Sequence, residues 1–112
     1  MAHKDIQPIW ILVNCNNIEE AKIIGDLILT KRLGSCYDIF QRELTKYFWP
    51  PKTGNIEQAK GALLVIESFA SHYQQAHSLI KQNHADQLPF IGFIPIQGVS
   101  RQYHQWMGGE IE

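Results

Sequence analysis

The chain has 112 residues, of which 45% are hydrophobic and 19% are charged. A chain of this length can bury about two thirds of its unfolded surface in a single core, so we expect one domain over residues 1–112. The formal net charge of −1, with no run of Lys or Arg, argues against nucleic acid or an anionic membrane as a partner.

The N-terminal residues contain no apolar stretch of signal-peptide length, and no apolar run in the sequence could cross a bilayer. We therefore expect a cytoplasmic protein. Its two cysteines, Cys15 and Cys36, are then expected to be buried thiols or ligands rather than a disulfide.

An apolar run over residues 9–13 (IWILV) predicts the first strand. Because this run does not alternate with polar residues, it predicts a central strand that is covered on both faces. Asn17 and Glu20 then have the spacing of a capping box at the start of a helix. Apolar residues at helical spacing follow, and Gly34 is expected where this helix stops.

Two long strands are predicted over residues 35–49 and 56–66, joined by the turn-forming segment PPKTGN. The first strand is longer than the usual strand of about 5–6 residues, so it is expected to extend beyond the body of a small domain. An exposed apolar strand can pair with another chain. Because this arm carries many apolar and aromatic side chains, we expect the hairpin to be an assembly element. These side chains are Phe40, Leu44, Tyr47, Phe48 and Trp49.

Ser68 or Ser71 is expected to cap a second helix that ends near Asn83. The last strand is predicted over residues 90–96, where Pro95 indicates an edge, an end or a bulge because proline cannot donate to the sheet. A short third helix is predicted to begin at Ser100. The order of the elements predicts a ferredoxin-like α+β sandwich (βαββαβ) with a long hairpin between its second and third strands and a short C-terminal helix.

Two segments, KRLGSC at residues 31–36 and Tyr103-x-x-Trp106, are similar to the motifs R-L-A-A-C and Y-L-x-W of a known family. Further stretches, among them ALLVIES and HADQLP, extend this similarity over nearly the whole chain. The chain thus resembles the CutA divalent-cation-tolerance proteins, which are related in architecture to the PII signalling trimers. The resemblance implies a homotrimer in which the hairpins wrap around neighbouring subunits. The residues expected in this trimer interface are Tyr47, Phe48, Trp49, Tyr103 and Trp106.

In the same family, copper or other divalent ions are associated with a cysteine at the end of the first strand, a histidine after the second helix and a glutamate after the nearby proline. Cys15 and His84 match the first two positions, whereas Phe90 occupies the third. Asp86 could offer an oxygen from a neighbouring place. The resemblance therefore implies a metal site for copper or another divalent ion at Cys15, His84 and Asp86. Thiolate and imidazole suit softer ions, and a structural role for Cys15 and His84 is the alternative. Cys36 is expected to be a small buried hydrophobe.

Two functions are consistent with these observations. The first is a CutA-like homotrimer implicated in divalent-ion binding or tolerance, with an ion or small-ligand site in a cleft between subunits. The second is a PII-like regulatory or scaffold trimer that binds a partner protein through its hairpin tip and has no functional metal site. The tip, WPPKTGN, departs from the W-E-G-K of the family. Catalysis is not expected, because the sequence shows no nucleophile beside a base, no paired carboxylates and no Gly-rich phosphate loop.

Overall fold

The computed structural model describes residues 6–111, which form a four-stranded antiparallel sheet and three α-helices. Along the chain these elements are β1 Pro8–Cys15, α1 Ile18–Thr30, β2 Cys36–Phe48, β3 Ile56–Phe69, α2 Tyr73–Gln82, β4 Ile91–Pro95 and α3 Arg101–Glu110. The strand order across the sheet is β2-β3-β1-β4. The predicted ferredoxin-like α+β sandwich is therefore confirmed, including its long hairpin and its C-terminal helix.

The main core lies between the sheet and helices α1 and α2. In β1, the side chains of Ile9, Ile11, Val13 and Cys15 are almost fully buried in it, whereas Trp10 is 42% exposed. The helices contribute small and branched side chains, namely Ala21, Ile24, Ile28, Ala76 and Ile80. The prediction that β1 is covered on both faces is wrong for the single chain. Both faces of the strand are apolar, but these two helices cover only one of them.

Helix α1 begins with the predicted capping pair. Asn17 Oδ1 accepts a hydrogen bond from the Glu20 N–H at 2.7 Å. Glu20 Oε1 accepts one from the Asn16 N–H at 2.8 Å, one residue earlier than in a regular capping box. The helix ends at Thr30, earlier than predicted, because Arg32 adopts the left-handed conformation with a φ of 56°.

The hairpin formed by β2 and β3 projects beyond the helices, as predicted. The chain measures 52 Å along its longest axis and 25 and 23 Å across. The pairing register shifts by one residue between Arg42 and Thr45, so β2 contains a β-bulge at this point. Strand β3 is exposed over residues 56–60 and mostly buried over residues 61–69. The bulge therefore lies near the boundary between the body of the protein, where the helices cover the sheet, and the distal hairpin, residues 43–60.

Neither Ser68 nor Ser71 caps α2, so that prediction was wrong. Strand β3 is three residues longer than predicted, because residues 67–69 still pair with β1. Ser68 is a buried strand residue whose hydroxyl donates to the backbone oxygen of Leu33 at 2.6 Å. Ser71 lies in a single 3-10 turn, Ala70–His72, that leads directly into α2.

Strand β4 and helix α3 lie at the end of the chain. Strand β4 is an edge strand and Pro95 is its last residue, as predicted. The Ser100 hydroxyl caps α3 by accepting a hydrogen bond from the Tyr103 N–H at 3.1 Å. Helix α3 packs on the sheet face opposite α1 and α2, where Met107 and Phe69 form a second, smaller hydrophobic cluster.

Candidate functional site

The three residues of the predicted metal site come from segments that meet at one end of the sheet. Cys15 is the last residue of β1, and His84 and Asp86 lie in the loop after α2. The donor atoms of Cys15, His84 and Glu20 lie within 4.8 Å of one another. Asp86 joins this group through its N–H, which donates to His84 Nδ1 at 3.0 Å. The structure thus brings the predicted residues together and adds Glu20, which the sequence pattern indicated only as a capping residue.

Both ring nitrogens of His84 are engaged in hydrogen bonds, and the side chain has no exposed surface. Because Nδ1 accepts the Asp86 N–H, the ring proton is on Nε2, which donates to the backbone oxygen of Asn14 at 2.7 Å. The Glu20 carboxylate lies 3.7 Å from Nδ1. His84 therefore links the loop after α2 to the end of β1.

Glu20 connects the same two segments through its carboxylate. Oε1 accepts hydrogen bonds from the N–H and the side-chain amide of Asn16 at 2.8 and 3.1 Å, and Oε2 accepts one from the Ala85 N–H at 2.9 Å. Burial alone raises the pKa of this carboxyl, but the hydrogen bonds from Asn16 and Ala85, together with His84, bring the pKa below its ordinary value of 4.5. Glu20 is therefore ionised at neutral pH.

The thiol of Cys15 lies at the edge of the core, where its Sγ contacts the backbone oxygen of Val13 at 3.9 Å. Burial, and to a smaller extent the charge of Glu20, raises the pKa of the thiol to about 12, although Arg42 acts in the opposite direction. The group therefore keeps its proton at neutral pH. A metal ion would bind the thiolate, so binding would require that this proton leave.

The donor types in this cluster suit copper or zinc, because thiolate, imidazole and carboxylate all bind these ions. In the observed arrangement, however, backbone N–H groups already occupy His84 Nδ1 and both oxygens of Glu20. An ion bound by Cys15 and His84 would have to displace the Asp86 N–H as well as the thiol proton. These residues therefore fit a hydrogen-bonded link between two loops better than a resident ion.

A cavity of about 560 Å³ lies beside this cluster. Cys15 and Asp86, from the predicted metal site, are among the residues that line it. Tyr47, Phe48 and Trp49, from the predicted trimer interface, line it as well. Its volume falls within the range of about 300–1,000 Å³ that is typical of small-molecule sites. Two groups of residues that the sequence indicated separately thus border the same space.

The cavity also contains residues that the sequence did not indicate as ligands. Phe90, which the sequence resemblance places where a glutamate is expected, lines it with an apolar ring that is 54% exposed. Arg42 and Lys60 line it from the two arms of the hairpin and contribute positive charge. No sequence motif marks these two cations. The single-residue register shift that brings Thr45 to the same side of the sheet as Arg42 is visible only once the strands are paired.

A second group of donor side chains lies on the sheet face opposite α1 and α2. The donor atoms of Cys36, Asp38 and Glu67 lie within 4.8 Å of one another, and the Tyr103 hydroxyl donates to Glu67. Burial, followed by the charges of Glu67 and Asp38, raises the pKa of the Cys36 thiol. The prediction that Cys36 is a small buried hydrophobe is therefore wrong, because it is a half-buried thiol beside two carboxylates.

The residues of the predicted trimer interface occupy two distant regions of the chain. Tyr47, Phe48 and Trp49 are 43%, 72% and 41% exposed near the tip of the hairpin. On α3, the rings of Tyr103 and Trp106 stack with their centroids 5.3 Å apart, and Trp106 is 44% exposed. The two groups lie towards opposite ends of β3. An interface that includes both of them therefore needs more than one copy of the chain.

The fold and the site define the class of this protein. It is a ferredoxin-like α+β domain with a projecting hairpin, and a Cys-Glu-His cluster lies at one end of its sheet. Among residues 6–111, no helix combines the length and the apolar character that a membrane crossing requires.

The chain belongs to the CutA1 divalent ion tolerance protein family, whose sequence profile matches residues 9–110. A relative from Danio rerio, named protein CutA homolog, is 35% identical over 97 residues, which cover 87% of this chain and 63% of the relative. The match thus spans less than two thirds of that protein. The divalent-cation tolerance protein CutA of Archaeoglobus fulgidus is 25% identical over 103 residues, which cover 92% of this chain and 97% of the relative.

Solved structures show the same fold. CutA1 from Oryza sativa superposes with a TM-score of 0.88 at 23% identity, covering 96% of this chain and 95% of its own. The A. fulgidus CutA structure, which is called periplasmic, superposes with a TM-score of 0.87 at 24% identity, covering 94% and 99%. At these identities the likeness establishes the fold.

Proposed function

We propose that this chain acts in divalent-ion tolerance as a homotrimer that binds a small ligand or a divalent ion in the cleft beside Cys15, His84 and Asp86. One observation carries this proposal: Cys15 and Asp86 line the same cavity as residues 47–49 of the hairpin. The segment that would contact a neighbouring copy therefore also forms a wall of the binding site. The proposed role is binding rather than catalysis.

Self-association is supported by the apolar side chains that a single chain leaves exposed along its hairpin. Phe40, Leu44, Phe48 and Ile56 are each more than half exposed. Because β2 is also an edge strand, its free backbone groups and these side chains form a surface suited to another chain. Light scattering on a size-exclusion column, over a series of dilutions, should give the mass of three chains. A single-chain mass at every concentration would contradict the proposed trimer.

In the ion-binding form of this proposal, copper or another divalent ion displaces the hydrogen bonds that His84 and Glu20 now accept, and it binds Cys15, His84 and Asp86 with Glu20 as an additional oxygen donor. Because Cys15 must lose its proton, ion binding should release protons and strengthen as the pH rises. Calorimetric titration of copper or zinc into wild type, Cys15→Ser and Cys36→Ser tests this part of the proposal. Binding should be lost only in Cys15→Ser, because Cys36 belongs to the other donor group. Identical isotherms for wild type and Cys15→Ser would remove the site.

We also propose a cytoplasmic location. The thiols of Cys15 and Cys36 are both free, and such thiols stay reduced in the cytoplasm. The periplasmic description belongs to the A. fulgidus protein. Cell fractionation followed by immunoblotting checks this location, and recovery of the protein outside the cytoplasmic fraction would contradict it.

A second candidate function is a PII-like regulatory or scaffold trimer that has no functional metal site and binds a partner protein through its hairpin tip. Two observations favour it: residues 50–55 are all exposed, and both ring nitrogens of His84 are engaged in hydrogen bonds. A pull-down with and without residues 50–55 tests this function. Recovery of the same partners by both forms of the chain would count against it.

A further inference from the structure

Arg42 is a half-buried cation that has no acidic partner among the described residues. Over residues 6–111, the basic side chains that lie beside a carboxylate are Arg32, beside Glu110, and His84, beside Glu20. Arg42 is only partly buried, and its guanidinium makes no charge-assisted hydrogen bond to a carboxylate of these residues. Because Arg42 lines the 560 Å³ cavity, an anion that enters this cavity can reach the guanidinium.

The local structure is arranged so that Arg42 reaches the cavity. In a regular strand, residues 42 and 45 would face opposite sides, but the β-bulge between them allows both to line the same space. Tyr47, Phe48 and Trp49 then follow and also line it. Opposite the bulge, a Cβ at Gly61 would lie 2.6 Å from the backbone oxygen of Cys15 and 3.4 Å from Arg42 Nη1. Glycine at position 61 therefore leaves room for the guanidinium beside the end of β1.

We propose that the ligand of this cavity is a small aromatic anion, an aryl carboxylate or an aryl phosphate, whose charged group binds Arg42 and Lys60. Its ring packs among Tyr47, Trp49 and Phe90. This inference rests on the proposed small-ligand function of the cleft and names the chemical class of that ligand. A guanidinium can bind either oxyanion through two parallel hydrogen bonds, which makes Arg42 the principal contact.

The charges of the lining residues favour an anion over a cation. Arg42 and Lys60 are positive, and Asp86 is the one acidic residue among the lining residues. The Asp86 carboxylate already accepts a hydrogen bond from the Asn16 side chain at 3.0 Å. The aromatic walls favour a planar ring, because offset stacking adds to the area that the ring buries.

Isothermal titration calorimetry on the native, full-length protein tests this proposal with 1-naphthoate and phenyl phosphate as probes. 1-Naphthamide, a neutral analogue of the carboxylate, and 1-naphthylmethylamine, a cation, are the matched ligands. The variants are Arg42→Gln, Arg42→Lys and, as a control outside the cavity, Arg32→Gln. At least one anion should bind at least about tenfold more tightly than the amide, since a hydrogen bond between two charged groups is stronger than one to a neutral group. Arg42→Gln should remove that difference, Arg42→Lys should restore part of it, and Arg32→Gln should leave it unchanged.

Different negative results in these titrations would exclude different parts of the proposal. Equal binding of the amide and the anions, or full binding by Arg42→Gln, would overturn the anion assignment while leaving a small-ligand cleft in place. If no probe of any charge binds, both this inference and the small-ligand part of the proposed function fail. Light scattering and thermal unfolding of each variant, run in parallel, show whether it keeps its assembly and its fold. If Arg42→Gln dissociates the assembly and no anion binds the wild type, the cavity is occupied by a neighbouring copy, and the inference is wrong.

Discussion

Strand β3 contains two different environments within one continuous element. Over residues 61–69 it lies in the body of the protein, where Leu64 and Ile66 have no exposed surface, whereas Ile56 near its start is 63% exposed. Both parts pair with β2, but only residues 62–69 also pair with β1, and only this part carries side chains of the main core. The body is stabilised by contacts within the chain. In the single chain, the distal hairpin (residues 43–60) has no comparable packing, and Leu44, Phe48 and Ile56 are exposed.

The largest effect is expected in the body. Ile66→Ala should lower the free energy of unfolding by about 2–5 kcal/mol, because it leaves a cavity under the helices. The matched change in the same strand, Ile56→Ala, should cost a dissociated chain less than about 1 kcal/mol, because that side chain is largely in water already. Urea denaturation measures both. An equal loss in the two variants would show that assembly buries the distal hairpin as completely as the helices bury the body.

A charge placed on the distal hairpin should weaken self-association rather than lower the stability of the single chain. If Phe48 is an aromatic anchor of the proposed trimer, Phe48→Asp is expected to raise the dissociation constant of that trimer by about thirtyfold or more, as loss of such an anchor costs about 2 kcal/mol or more. Ile23→Asp is the control, because Ile23 is 57% exposed and belongs to α1, outside residues 43–60. Light scattering of both variants over a dilution series separates the cases. If they dissociate to the same extent, the distal hairpin has no special part in assembly.

A third prediction concerns the boundary between the two regions. Gly61→Ala should cost about 1–3 kcal/mol, because its Cβ would meet the backbone of Cys15 and force the strands apart. Gly108→Ala in α3 meets no neighbouring atom within 4 Å, and it should be neutral or stabilise the protein by up to about 1 kcal/mol, as alanine favours a helix. The midpoint of thermal unfolding should therefore fall in Gly61→Ala, and it should stay the same or rise in Gly108→Ala. Similar destabilisation by both would argue against the close approach at Gly61.

The smallest effect is expected from Glu20→Gln, and it should depend on pH. The pKa of Glu20 lies below 4.5 in the folded chain, so its ionised form stabilises the fold above about pH 4.5, and this contribution is lost as the pH falls through the lower native pKa. Wild type should exceed Glu20→Gln by about 1 kcal/mol at neutral pH, and the difference should shrink below about pH 4.5. Urea titrations at several pH values measure it. A difference that stays constant down to pH 3 would mean that the charge of Glu20 contributes nothing.

Local patterns in the sequence predicted the body of the fold well. Asn17 and Glu20 start α1, Pro95 ends an edge strand, and the long arms form a projecting hairpin, because each of these features is determined by neighbouring residues. The secondary-structure prediction failed where the same residue type is compatible with two local structures. Ser68 has the residue type of a helix cap, yet pairing with β1 keeps it in a strand. The apolar run around Trp10 indicates that both faces of β1 are apolar, but it does not indicate whether the same chain covers both faces.

The candidate site was predictable only in part, because its contacts are distant along the chain. The family resemblance pointed to Cys15 and His84, which do lie together. The carboxylate of Glu20 accepts a hydrogen bond from Ala85, a residue 65 positions away, and no local pattern carries that contact. That Arg42 and Thr45 line the same cavity depends on the pairing register of two strands, which hydrophobic periodicity does not determine at a bulge.

The β-bulge also sets a rule for changes in chain length. Alternate side chains of a strand face opposite sides of the sheet. One extra residue therefore moves each later side chain of that strand to the opposite side. Removing a single residue between the bulge and the tip would turn Tyr47 and Trp49 away from the side they now share with Arg42, whereas removing two would leave that arrangement intact. The distal hairpin should therefore tolerate the loss of two residues from one strand better than the loss of one, although the larger deletion removes more of the chain.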